Sequence, residues 1–197
     1  MTSLRGETAE TGLAIIQSQI KPEPLTQTDY EKIKQVLRPY RNLLLCMILR
    51  ATGLRINEML RVQADHIQRE GPTISLLIRR SKKGDKVLWE HMYLPPQLGV
   101  QLVAYVEGNS ILPGQRIFGI TSRMVRYIFE KAGKTAIGRP VHPHEFRGLY
   151  TKTLIDGGLP VEAAAKMLGH DDTKTTMKHY YDLTRIQREE IQRRIPV

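Results

Sequence analysis

The chain has 197 residues, 41% of them hydrophobic and 25% charged, a balance that suits one globular domain and excludes a disordered or fibrous protein. A domain of this length buries roughly 70% of its unfolded surface, so it needs no disulfide or metal to hold it together. Lys and Arg total 30 and Asp and Glu total 20, a net charge of +10 that points to a polyanionic partner, nucleic acid first among them. Cys46 is the single cysteine, which excludes a disulfide framework and leaves no Cys-based zinc site. It sits in the longest apolar run, Leu43 to Leu49, which is far too short to span a bilayer. The N-terminus carries no basic stretch followed by an apolar one, so the expectation is a cytoplasmic protein without a membrane partner.

Residues 1–24 read as a leader or interdomain linker, with one short apolar cluster (Leu13, Ile15, Ile16, Ile20) ended by Pro22 and Pro24. Thr28 and Glu31 have the spacing of a capping box and predict a helix through about Leu37. A mostly buried helix follows from Tyr40 to Thr52, stopped by Gly53, and a short one starts at Arg55 and ends near Leu60. The period then changes. Thr73 to Arg79 and Val87 to Leu94 are rich in β-branched and aromatic residues, and the basic stretch Ser81 to Lys86 between them predicts a β-hairpin. Helical patterns return over 97–107, 122–132, 144–156 and 160–168, then 173–181 and 183–194. The fold class is mainly α with a small antiparallel β-sheet.

Three clusters stand apart from this pattern. They are Gly53-Leu54-Arg55-Ile56-Asn57-Glu58, then His144-Glu145-Phe146-Arg147, then Leu168-Gly169-His170 with Tyr180 and Tyr181 beyond it. Each alone has an ordinary explanation, such as a surface arginine or a histidine closing a helix. Their order, with a lysine-bearing hairpin between the first and second, resembles the tyrosine recombinases, the phage-integrase family of site-specific DNA strand-exchange enzymes. The resemblance runs over roughly residues 25–185, and residues 25–182 are expected to form the catalytic domain.

What the resemblance implies is chemistry on a phosphodiester without a metal or cofactor. Arg55 and Arg147 would offer planar forks of N–H donors to the non-bridging oxygens of a pentavalent transition state, and His170 a further donor. Tyr180 would be the nucleophile, forming a covalent 3′-phosphotyrosine, with His144 as the base that draws off its proton. Lys82 would protonate the leaving 5′-oxygen, Lys83 being the alternative, while Lys83 and Lys86 contact DNA phosphate. Glu58 would orient Arg55. Tyr180 is ten residues beyond His170 and Tyr181 eleven, and adjacent residues on a helix point about 100° apart, so only one faces the phosphate. Gly148 departs from the family pattern, where a second histidine often follows the arginine.

Family members usually clamp double-stranded DNA with an additional N-terminal core-binding domain. The 24 residues ahead of the pattern therefore suit either a catalytic fragment or a small single-domain recombinase. The tail, residues 183–197, carries Leu183, Ile186, Ile191 and Ile195. In the family such a segment often docks on a neighbouring protomer, so a homo-oligomer on DNA, dimer to tetramer, is expected. Two other readings use the same scaffold: strand relaxation like that of a type IB topoisomerase, and a non-catalytic DNA-binding regulator.

Overall fold

The computed structural model describes residues 23–81, 87–160, 163–164, 167–168, 192–193 and 195. Residues 1–22 of the predicted leader, the hairpin turn with Lys82, Lys83 and Lys86, the residues His170, Tyr180 and Tyr181, and the predicted helix over 173–181 lie outside them.

Helix α1 spans Gln27–Val36, and its cap is Thr26 rather than Thr28. The Thr26 hydroxyl accepts from the Asp29 N–H at 3.1 Å, and the Asp29 carboxylate accepts from the Thr26 N–H at the same distance. The reciprocal pair therefore forms two residues earlier than the Thr28–Glu31 spacing suggests. Helix α2, Tyr40–Thr52, ends as expected at Gly53, which takes φ 63° and returns its N–H to the Leu49 carbonyl. Ten of its residues are buried, Cys46 among them. A single turn, α3 (Ile56–Met59), follows directly.

The sheet has three antiparallel strands in the order β1 (Ile67–Glu70), β2 (Thr73–Ser81) and β3 (Val87–Tyr93). Strand β1 was not expected. It is a four-residue edge whose register pairs Glu70 with Thr73 across the Gly71-Pro72 turn. Ile74, Leu76 and Ile78 of β2 point into the core, and the alternation carries on to Arg80, which is buried as well. Leu77 and Arg79 face the other way, and Arg79 lies opposite Trp89 on β3.

Helices α4 (Pro96–Gly108), α5 (Ser122–Ile137) and α6 (Pro143–Asp156) follow the sheet. Helix α5 continues five residues past its predicted end because Gly133 is a packing glycine rather than a stop. A Cβ there would lie 2.6 Å from the Arg139 carbonyl. Helix α6 joins two cores. Phe146 and Leu149 belong to the main one, and Tyr150 and Leu154 to a smaller one with Ala164, Met167, Leu168 and Ile195. Ile195, near the C-terminus, thus shares a small core with Tyr150 and Leu154 of the chain's own α6. Gln192 also donates to the Ala51 carbonyl of α2.

Candidate active site

A cleft of about 560 Å³ opens where the α2–α3 junction meets the N-terminal end of α6. It brings together Arg55, Glu58, His144 and Arg147 from two of the three sequence clusters. Arg61, Arg79, Arg126 and His142 also line it, so among the described residues five guanidiniums meet a single carboxylate. An anion entering the cleft replaces unfavourable cation–cation repulsion with attraction.

The Arg55–Glu58 pair is built by the start of α3. The Glu58 carboxylate accepts the Arg55 backbone N–H at 2.8 Å and the Arg55 guanidinium at 3.0 Å. One acidic side chain thereby caps the helix and fixes the direction of the arginine. The Arg55 side chain is 47% exposed and that of Glu58 only 11%, so the carboxylate anchors the pair from inside while the guanidinium faces the cleft.

Arg147 is held by the opposite means. It is 3% exposed, and its two terminal nitrogens donate to the carbonyls of Gly53 and Leu168, each at 2.6 Å. Burial, then the nearby Arg55 charge, lowers its pKa to about 10, which still leaves it a cation at neutral pH. Gly53 is required twice over. Its φ is left-handed, and a Cβ would lie 2.4 Å from Tyr150 Cδ1 and 2.7 Å from Leu168 Cδ2.

The Leu168 carbonyl also accepts from Arg80 at 2.7 Å, and the Met167 carbonyl accepts from the same guanidinium at 3.0 Å. Arg80 Nε pairs with Glu90 at 2.7 Å. Two buried arginines therefore converge on the peptide that immediately precedes Gly169-His170. Sequence reasoning missed Arg80 and Glu90. The signal was the β-alternation of Ile74, Leu76 and Ile78, which puts Arg80 on the buried face and calls for a counter-charge there.

His144 is exposed in the first turn of α6, on the cleft wall. His142, also missed, is the residue before that helix, and its Nδ1 lies 3.4 Å from Glu130. The Glu145 carboxylate accepts the His142 N–H at 2.8 Å and pairs with Arg139 at 2.7 Å, which fixes the start of α6 and so the height of His144 in the cleft. Among the described residues, no cluster of three His, Cys, Asp or Glu side chains is placed to hold a metal ion, and no helix is long and apolar enough to cross a membrane.

The family model described as "Phage integrase family" matches residues 23–186. The tyrosine recombinase XerA of Thermococcus kodakarensis is 27% identical over 167 residues, covering 79% of this chain and 56% of that protein. The chain spans about half the length of the curated relatives it matches. Among solved structures, a XerA recombinase aligns over 89% of this chain and 66% of its own, with a TM-score of 0.62 and 20% identity. A lambda integrase dimer bound to a COC′ core site aligns over 76% of this chain and 57% of its own, with a TM-score of 0.57 and 22% identity. These two likenesses concern the fold.

Proposed function

The chain belongs to the phage integrase family, and from that premise we propose that it is the catalytic domain of a site-specific DNA recombinase. The observation that carries this reading is the cleft itself, which gathers Arg55, His144 and Arg147 in a strongly cationic wall. The expected steps are an exchange of one phosphodiester for another. The Tyr180 phenolate oxygen attacks the scissile phosphorus as His144 takes the phenol proton. The bond to the 5′-oxygen breaks, and Lys82 gives that oxygen its proton. Arg55 and Arg147 meet the extra charge on the non-bridging oxygens, with His170 as a further donor. The 5′-hydroxyl of a second strand then attacks the 3′-phosphotyrosine and releases Tyr180. Two guanidiniums supply the positive charge that other phosphoryl-transfer sites draw from metal ions, so the reaction is expected to run in EDTA.

Lys83 and Lys86 complete the basic hairpin that approaches the DNA backbone. Double-stranded DNA is the substrate of this reading, and a dimer to tetramer on DNA is its working assembly, linked through the tail. The seat that now holds Ile195 on α6 is the surface on which a neighbour's tail would rest.

The test is covalent trapping on nicked duplexes tiled across the DNA beside the gene, in EDTA, read on denaturing gels. The reading expects a denaturation-stable adduct that Tyr180→Phe abolishes and Tyr181→Phe keeps. Loss in Tyr181→Phe alone moves the nucleophile by one residue. DNA bound at low salt without any adduct favours a regulator on this scaffold.

A further inference from the structure

A second cleft, of about 440 Å³, adjoins the first and shares Glu58, Arg61 and Arg79 with it. Its other walls come from the 3₁₀ turn Ala64–His66, the outer face of β2 and β3, and Arg116. Val62 and Leu77 supply apolar lining, and Arg61, Arg79 and Arg116 line it as well. Among the described residues, no carboxylate is ion-paired with Arg61, Arg79 or Arg116, while Glu58 is taken by Arg55. Trp89 stands at the edge, 47% exposed. The His66 ring meets it edge to face, centroids 5.2 Å apart, and the Gln63 N–H donates to His66 Nδ1 at 3.3 Å, which fixes that ring. The indole is thus braced by one neighbour while much of its surface stays open to water.

Cations alone would serve phosphate. A half-exposed indole serves something flat, and the combination matches a nucleotide, with a π-face for the base and guanidiniums for its phosphates. A base paired and stacked within a duplex offers no free face to an exposed indole, so the nucleotide that suits Trp89 is an unpaired one. We propose that it is a binding site for an unpaired DNA nucleotide next to the cleavage cleft, with the base stacked on Trp89 and the phosphates at Arg61, Arg79 and Arg116. This rests on the recombinase reading, because strands that change partners must first unpair beside the cut. Arg61 and Arg79 line both clefts, so a strand whose phosphate lies between Arg55 and Arg147 is led directly to Trp89.

Trp89 is the single tryptophan of the chain, so tryptophan emission, excited beyond the tyrosine absorption band, reports on this site alone. The experiment titrates the full chain at low salt with a short oligothymidylate, a blunt duplex and heparin. It reads tryptophan emission and, in parallel, the anisotropy of end-labelled DNA. The single strand should quench emission at the concentrations where anisotropy shows binding, and the duplex and heparin should quench little. Trp89→Ala should weaken single-strand binding about tenfold, within the range of one lost stacking contact, and change duplex binding less than about twofold. Arg116→Ala should reduce the salt slope for the single strand by about 0.7, the equivalent of one phosphate contact. Single-strand binding without quenching, or equal quenching by duplex or heparin, overturns the proposal and leaves the recombinase reading standing. Failure to bind either DNA, together with no adduct on nicked duplexes, removes both.

Discussion

Arg55 and Arg147 line one cleft and are held there by opposite means. At the α2–α3 junction a half-exposed guanidinium is aimed by a carboxylate three residues away, in water and open to salt. At the start of α6 a buried guanidinium is aimed by backbone carbonyls from distant parts of the chain, out of reach of screening. The difference teaches where each arginine is vulnerable. Arg55 depends on one side chain, whereas Arg147 depends on the packing of Gly53 and Leu168 and so on the fold around it.

The comparison breaks most severely at Arg147 itself. Arg147→Ala removes two buried charge-assisted hydrogen bonds, and the expected loss of stability is about 3–5 kcal/mol, measured by urea denaturation. Gly53→Ala attacks the same anchor from the other side. A left-handed φ and a Cβ 2.4 Å from Tyr150 should together cost about 2–4 kcal/mol, with adduct formation lost as Arg147 shifts. Glu90→Gln takes the counter-charge from Arg80, whose side chain is 6% exposed, and should cost about 1–3 kcal/mol. The smallest effect on stability belongs to Glu58→Gln, about 1 kcal/mol, because the guanidinium of the pair is half-exposed and water screens its charge. Its adduct rate should still fall, because the glutamine oxygen can cap the Arg55 N–H but no longer attract the guanidinium. Added salt should narrow the stability gap between Glu58→Gln and the parent and leave that of Gly53→Ala unchanged.

Much of this contrast was visible in the sequence, and the missing parts share a cause. Gly53, Arg55 and Glu58 form a local signal, since cap, helix start and ion pair all lie within six residues. The end of α2, the two strands of the hairpin and the start of α6 were legible for the same reason. Glu90 apart, the partners of Arg147 and Arg80 were not, because they are backbone carbonyls 21 to 94 residues away, and a carbonyl leaves no mark on residue type. Strand β1 was missed because Ile67-Gln68-Arg69-Glu70 is short and polar, and its pairing with β2 rather than its propensity makes it a strand. The cleft beside Trp89 escaped notice because its parts come from four separate segments that only the sheet's outer face assembles.

Cys46 provides an internal control for folding in all these variants. It is wholly buried, and burial pushes its thiol pKa up, so a thiol reagent should label it only when the core opens.

The most direct test of the account is the rate of covalent adduct formation on a nicked duplex for Arg55→Lys and Arg147→Lys, with Cys46 protection followed in the same samples. A lysine keeps the charge and loses the planar fork, so both rates should fall by about 10²-fold or more while Cys46 remains protected. Adduct formation at the parent rate in either variant, with the core still closed, would contradict the assignment of this cleft as the site of phosphodiester cleavage.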